Sequence, residues 1–526
     1  MNRKAMIEAL EAGGGKEWDM VIIGGGATGL GIAVDAASRG FRTLLLEQFD
    51  FAKGTSSRST KLVHGGVRYL QQGNIKLVTE ALHERGILRK NAPHLVKNQS
   101  FIVPNYKWWE GPFYGIGLKV YDWMAGSLGL GPSRLLSREE TLELAPTLDA
   151  EGLRGGVLYH DGQFDDARLA INLTQTAAAY GGVLLNYCRV EGLLKEGGRI
   201  RGVQMTEQWS GKRYDILAKA VVNATGVFTD RMLQMDDPAS DPVIAPSQGV
   251  HIVLDKEFLP GEAAIMVPHT DDGRVLFAVP WHGKIIIGTT DTPVTEAQTE
   301  PRPLPEEIDF ILRQIGRYLT KPPDRKDIRS AFAGLRPLVK GSSKKTAELS
   351  RDHLIMVSAS GLITITGGKW TTYRRMAEDA VNTAITRSGL ADRACLTTTL
   401  PIHGAAGMTG AEATAFGTPL YYYGSDAPAI LGLAATTPEL GGLLHPRLPY
   451  IKAEIVWAAR EELCETVEDA LSRRTRALLL DAAAAIDCAP MVAALLAGEL
   501  GRDERWQLEQ VETFTKLAEG YLIGGL

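Results

Sequence analysis

Cysteine is scarce in this chain. Only four occur in 526 residues, at Cys188, Cys395, Cys464 and Cys488, too widely spaced for a CxxC pair or a Cys/His metal site and too few for a disulfide framework. The expectation is reduced thiols in a cytosolic compartment and no metal. Excess positive charge is missing too. With 57 basic against 62 acidic residues the net charge is -5, which argues against a nucleic-acid partner. No uninterrupted apolar run reaches the roughly 18 residues of a spanning helix, so any membrane contact is expected to be peripheral. Met1 to Lys16 lacks the apolar segment of a signal peptide, so no export is implied. Internal repeats are absent as well.

What is present begins at Trp18. Met20 to Ile23 is an apolar run, Gly24 to Gly29 a glycine-rich turn, Leu30 to Arg39 a helical pattern and Thr43 to Glu47 a second apolar run. That order is a βαβ unit. Gly24-Gly25-Gly26-Ala27-Thr28-Gly29 satisfies GxGxxG where a strand opens into a helix. Gly24 permits the tight turn, Gly26 lets the backbone approach a pyrophosphate, and Gly29 allows close helix–strand packing; the helix N-terminus offers N–H groups to phosphate. Glu47 closes the second strand, where a carboxylate accepts hydrogen bonds from a ribose diol.

Two later turns extend the nucleotide site. Ala220 to Asn223 is a strand running into Ala224-Thr225-Gly226, and Ile363 to Thr366 is another running into Gly367-Gly368-Lys369. A nucleotide fold split in this way points to FAD rather than NAD. The helix expected over Trp370 to Ile385 would turn its N-terminus toward the negative charge of a reduced flavin ring. Further short strands are expected at Gly182 to Leu185, Val275 to Val279 and Lys284 to Ile287. Beyond Pro401 the segments Ala453 to Cys464, Val467 to Asp481 and Met491 to Gly498 carry helical spacing.

The expected fold is therefore α/β: a split FAD-binding Rossmann-type domain with a β-sheet-containing substrate (cap) domain and a C-terminal α-helical domain. The expected divisions are an N-terminal extension at 1–17, interleaved FAD-binding and substrate domains at 18–385 with the cap near 90–160 and 230–335, a linker at 386–410 and the helical domain at 411–526. That last domain is a candidate for a homodimer contact or a partner surface, and the sequence does not choose between them.

Four ordered motifs carry a resemblance. They are Thr55-Ser56-Ser57-Arg58-Ser59-Thr60-Lys61-Leu62-Val63-His64-Gly65-Gly66-Val67-Arg68-Tyr69-Leu70; Gly249-Val250-His251 with Ile287-Gly288-Thr289-Thr290-Asp291; Gly334-Leu335-Arg336-Pro337; and Gly367-Gly368-Lys369-Trp370-Thr371-Thr372-Tyr373-Arg374. With these the chain resembles the FAD-dependent glycerol-3-phosphate dehydrogenases of the aerobic, quinone-linked type, over nearly its whole length. The resemblance implies oxidation of sn-glycerol 3-phosphate to dihydroxyacetone phosphate by hydride transfer from C2 to flavin N5, with quinone as electron acceptor. It implies a cytoplasmic protein, peripheral on the cytoplasmic face of the inner membrane. An oxygen-using glycerophosphate oxidase, or an amine or amino-acid oxidase of the same group, is the alternative. The oxidases' extra inserted segment has no obvious counterpart here.

The resemblance also assigns residues. Ser56, Ser57, Thr60, Leu62, His64 and Gly66 join Gly24, Gly26, Ala27, Thr28, Gly29, Glu47, Ala224, Thr225, Gly226, Gly368, Lys369, Trp370 and Thr371 around a non-covalent FAD. Arg68, Tyr69, Arg336, Arg351 and Lys369 form a cationic cage for the phosphate dianion. His251, with a near-neutral ordinary pKa, is the first candidate for general base, and Arg336 the alternative or the stabiliser of alkoxide charge. A membrane contact is expected at Lys107-Trp108-Trp109-Glu110-Gly111-Pro112-Phe113-Tyr114 and on to Trp123, where aromatics flanked by lysine suit the headgroup boundary; inward packing of these aromatics is the competing expectation.

Overall fold

Trp18–Ile23 buries every one of its apolar side chains, as a strand covered on both faces must. It pairs in parallel with Arg213–Asn223 on one side and Thr43–Leu46 on the other. The computed structural model describes residues 1–13, 15–66, 74–340, 353–408 and 420–523. Within it the strand order of this sheet is His353–Val357, Ile363–Gly367, Arg213–Asn223, Trp18–Ile23, Thr43–Leu46, Val183–Leu185. Ile23 stands beside Asn223, and Asn223 beside Thr364. The glycine turn and the two later turns thus leave one edge of the sheet side by side, at the carboxyl ends of parallel strands, where open α/β sheets bind ligands.

A second sheet of ten strands covers that edge. At its heart is Ile244–Asp255, flanked by Lys284–Gly288 and Ser330–Val339. Alternate side chains of a strand face opposite ways. Val250, Ile252 and Leu254 pack into one apolar core with Ile285, Ile287 and Ile308, which turns His251 to the other face. Helix Pro305–Gly316 closes that core through Ile308, Ile311 and Ile315.

Helix Ala27–Ser38 is buried from Gly29 to Ala37. It lies against Tyr373–Ser388, where a β-carbon on Gly31 would stand 2.9 Å from the Tyr373 ring. The expected helix from Trp370 opens as a 3-10 turn, Trp370–Thr372, before the α-helix begins.

The expected continuous helix over Val467 to Asp481 is broken. Val467–Asp469 passes into a π-turn, Ala470–Arg474, and helix resumes at Ala477–Leu480. The cause is charge: Arg473, Arg474 and Arg476 are drawn inward to Asp50, the Glu462 backbone and Asp165, and helical geometry gives way to that network. Ala482–Leu500 is, among the described residues, one helix long and apolar enough to cross a membrane by length and composition. It buries Ala485, Cys488, Val492 and Leu496 in a core shared with the first sheet.

Candidate active site

The three glycine turns line one cavity of about 440 Å³. Gly24 has φ 110°, and a β-carbon there would lie 2.6 Å from the Ala224 carbonyl oxygen. At Gly29 it would fall 1.9 Å from the Gly24 carbonyl oxygen. Both positions require glycine. The Ala27 N–H, on the first turn of its helix, donates to Ser56 Oγ at 2.9 Å. Glu47 stands beside the first turn, its carboxylate accepting from the Gly25 and Phe49 N–H groups at 2.7 and 2.8 Å. Burial pushes its carboxyl up, and those two donors oppose the shift.

The same cavity is lined by His251, Arg336 and Lys369. His251 is 3% exposed. Its ring stacks on Phe332 at a centroid distance of 5.0 Å and an angle of 15°, and Nε2 lies 2.9 Å from Thr60 Oγ1. Burial, then the positive charges of Arg336 and Lys61, hold the imidazole well below its usual pKa. It is therefore neutral at neutral pH. The Arg336 guanidinium donates to Thr289 Oγ1 at 2.9 Å, the Thr290 carbonyl at 2.9 Å and Asp291 at 3.2 Å. Trp370 spans the cavity wall: its indole N–H donates to the Ser56 carbonyl at 2.9 Å.

A model of the FAD dependent oxidoreductase family matches residues 19–374, and one for the C-terminal domain of alpha-glycerophosphate oxidase matches residues 364–507. The mitochondrial glycerol-3-phosphate dehydrogenase of Macaca fascicularis is 42% identical over 95% of this chain and 73% of its own; the Homo sapiens protein is 41% identical over the same shares. The crystal structure of glycerol-3-phosphate dehydrogenase from Bacillus halodurans, complexed with FAD, superposes with a TM-score of 0.82 at 30% identity, covering 100% of this chain and 99% of that one. This chain belongs to the FAD-dependent glycerol-3-phosphate dehydrogenases.

The residues present fit the family's cofactor. The close approaches at Gly24 and Gly29 leave a backbone cradle beside Gly26, and the cavity it opens on is also lined by Glu47 and Lys369, groups suited to a ribose and a reduced flavin ring.

Of the residues singled out in the sequence, Gly24, Gly26, Ala27, Thr28, Glu47, Ser56, Thr60, Leu62 and His64 line this cavity, as do Ala224, Thr225, Gly226, His251, Arg336, Gly368, Lys369, Trp370 and Thr371. Gly29, Ser57 and Gly66 are not in the lining. Gly29 packs behind the turn, and the Ser57 carbonyl accepts from Lys61 Nζ at 2.6 Å. Arg68, Tyr69 and Arg351 lie outside the described residues.

Sequence reasoning missed Lys61 and Asp166. Both are fully buried, and they pair at 2.7 Å behind His251. Burial pulls the Lys61 ammonium down, against the Asp166 charge. Arg58, paired with Glu300 at 2.6 Å, was also missed. Lys61 sits within a quoted motif, but nothing local signals that its side chain turns inward to a carboxylate 105 residues away.

Proposed function

We propose that this protein oxidises sn-glycerol 3-phosphate to dihydroxyacetone phosphate and passes the electrons to quinone. The observation that carries this reading is the cavity itself, whose one lining holds a dinucleotide cradle and a neutral histidine beside a fixed guanidinium. The names and identity of the relatives support it. Bound there, FAD supplies the acceptor for the C2 hydride. Arg336 and Lys369 hold the phosphate, Arg336 pre-oriented by Asp291 and Thr289. Arg68, Tyr69 and Arg351 are proposed to complete this cage. His251 takes the proton of the C2 hydroxyl: uncharged because it is buried between two cations, it is in the form a base requires. The second sheet roofs the cavity and keeps water from the reacting carbon.

For the electron exit we propose peripheral contact with the cytoplasmic face of a membrane. Helix Glu110–Ala125 buries Tyr114, Leu118 and Tyr121 on one face. Its other face exposes Phe113, Ile116, Val120 and Trp123, with Trp108 just before it; Trp108 and Trp123 are 77% and 83% exposed. A stripe at this spacing supports docking among lipid headgroups.

Bleaching of the flavin absorbance by glycerol 3-phosphate under nitrogen is the deciding test of the substrate. An enzyme that keeps its flavin oxidised with glycerol 3-phosphate but bleaches with an amine would belong to the alternative reading.

A further inference from the structure

Thr60 is not placed by a loose loop. Asp166, on the first turn of helix Asp166–Ala179, accepts from the Ser59 N–H at 3.1 Å, the Ser59 hydroxyl at 2.7 Å and the Lys61 ammonium at 2.7 and 2.8 Å. Both chain neighbours of Thr60 are thereby tied to one buried carboxylate. Lys61 has φ 62°, a left-handed conformation that costs a residue with a β-carbon roughly 1–2 kcal/mol, and its buried ion pair keeps it there. The same ammonium lies over the rings of Trp281 and Phe332, at 5.3 and 5.6 Å. Phe332 is the ring on which His251 stacks. One buried pair thus sets both the hydroxyl at the edge of the imidazole and the platform under its face.

Building on the reading of His251 as the base, we propose that Thr60 is its proton relay: a hydroxyl, fixed by Asp166 and Lys61, that gives its own proton to Nε2 as it takes the substrate's. A hydroxyl offers both functions. Before transfer its O–H donates to the single lone pair of Nε2, and its own oxygen lone pairs are left to receive the substrate's hydroxyl. Thr60 takes the proton of the C2 hydroxyl as its own passes to Nε2, and the C2 hydrogen would leave with its electron pair to bound FAD. Thr60 Oγ1 now accepts the new N–H. Nδ1, buried and without a hydrogen-bond partner among the described residues, carries the ring's other proton throughout. The charged groups that face this ring are Arg336 with its partner Asp291 and Lys61 with its partner Asp166, while Lys369 and His64 line the same cavity; Gly288 and Phe332, from the flanking strands, add no charge.

Thr60→Val, Thr60→Ser and His251→Asn holoenzymes, compared by anaerobic stopped-flow flavin reduction across pH with FAD content measured alongside, test this. Thr60→Val keeps its FAD, reduces at least about tenfold more slowly and shows its acid limb moved to lower pH, because an imidazolium deprived of its acceptor gives up its proton more readily. Thr60→Ser restores both rate and limb. A Thr60→Val enzyme with the wild-type rate and limb overturns the proposal, as does a slowing that merely matches lost FAD, which would make Thr60 a cofactor contact only. If His251→Asn itself reduces normally, the base reading falls and the role of Thr60 with it. If His251→Asn is slow while Thr60→Val is normal, the role of Thr60 alone is refuted.

Discussion

Arg336 and Asp291 meet at 3.2 Å although they reach the site from opposite sides of the same strand. Arg336 comes from Ser330–Val339 and Asp291 from the turn before Thr292–Pro293, and both of these pair with Ile244–Asp255. The Asp291 carboxylate also takes the Ser247 hydroxyl. The pair therefore aims the guanidinium, and any phosphate it holds, through the sheet register rather than through a flexible loop.

Arg336→Lys keeps the charge but loses the planar fork. Steady-state kinetics with glycerol 3-phosphate should give a KM raised about 10- to 100-fold, the value of a charge-assisted hydrogen bond. Asp291→Asn should raise KM in the same direction by less. An unchanged KM in both would remove Arg336 from phosphate binding.

Gly29→Ala places a methyl 1.9 Å from the Gly24 carbonyl oxygen, which the turn cannot absorb without moving. The variant should purify folded, by far-ultraviolet circular dichroism, but without flavin absorbance. Full flavin content would mean that the turn has slack the geometry does not suggest.

Acid stability should depend on His94. Burial first, offset by its bond to Asn172, lowers its pKa to about 4, below the ordinary 6.5. The unfolded chain then binds the extra proton more readily, so stability present above pH 6.5 is lost as pH falls toward 4, by about 3 kcal/mol at the limit. His251 contributes in the same direction. Thermal melts of wild type and His94→Gln between pH 8 and 4 should converge on descending; parallel curves would exclude His94 from the effect.

Trp108→Ser with Trp123→Glu removes the two most exposed aromatics of the stripe proposed to meet lipid. Flotation with anionic liposomes should carry wild type upward and leave the double variant in the bottom fraction, with flavin bleaching by substrate intact in both. Equal flotation would place the contact elsewhere.

Arg474 reaches across to Asp50 at 2.6 and 2.8 Å, and Asp50 lies in the segment whose neighbours Gln48, Phe49 and Lys53 wall the cradle. Arg474→Met leaves that carboxylate only partly paired in the core, a loss of about 3–5 kcal/mol. A lower Tm and faster FAD release, followed by the rise of free flavin fluorescence, are the expected pair of results; a lower Tm alone would separate the C-terminal helices from cofactor retention.

The βαβ unit was legible because its signal is local: spacing, glycine and apolar runs within about thirty residues. The facing of His251 was not legible, since Val250, Ile252, Val253 and Leu254 are all apolar and no alternation marks a face. What a single sequence cannot express is pairing over distance. Asp166 and Lys61 look like ordinary surface charges until the fold buries both. The break after Asp469 was hidden for the same reason, since alanine and leucine around it favour helix while the arginines answer to Asp50 and Asp165.

The three turns of the cradle come from residues near 24, 224 and 368, which stand side by side only in the finished sheet. A ribosome making this chain releases the first turn early and the last only after roughly seven-tenths of its length. A fragment that ends before Lys369 lacks the third turn of the cradle, and one that ends before Ile363 leaves Arg213–Asn223 without its outer neighbour. A complete cradle for the cofactor is therefore expected only in the last three-tenths of synthesis.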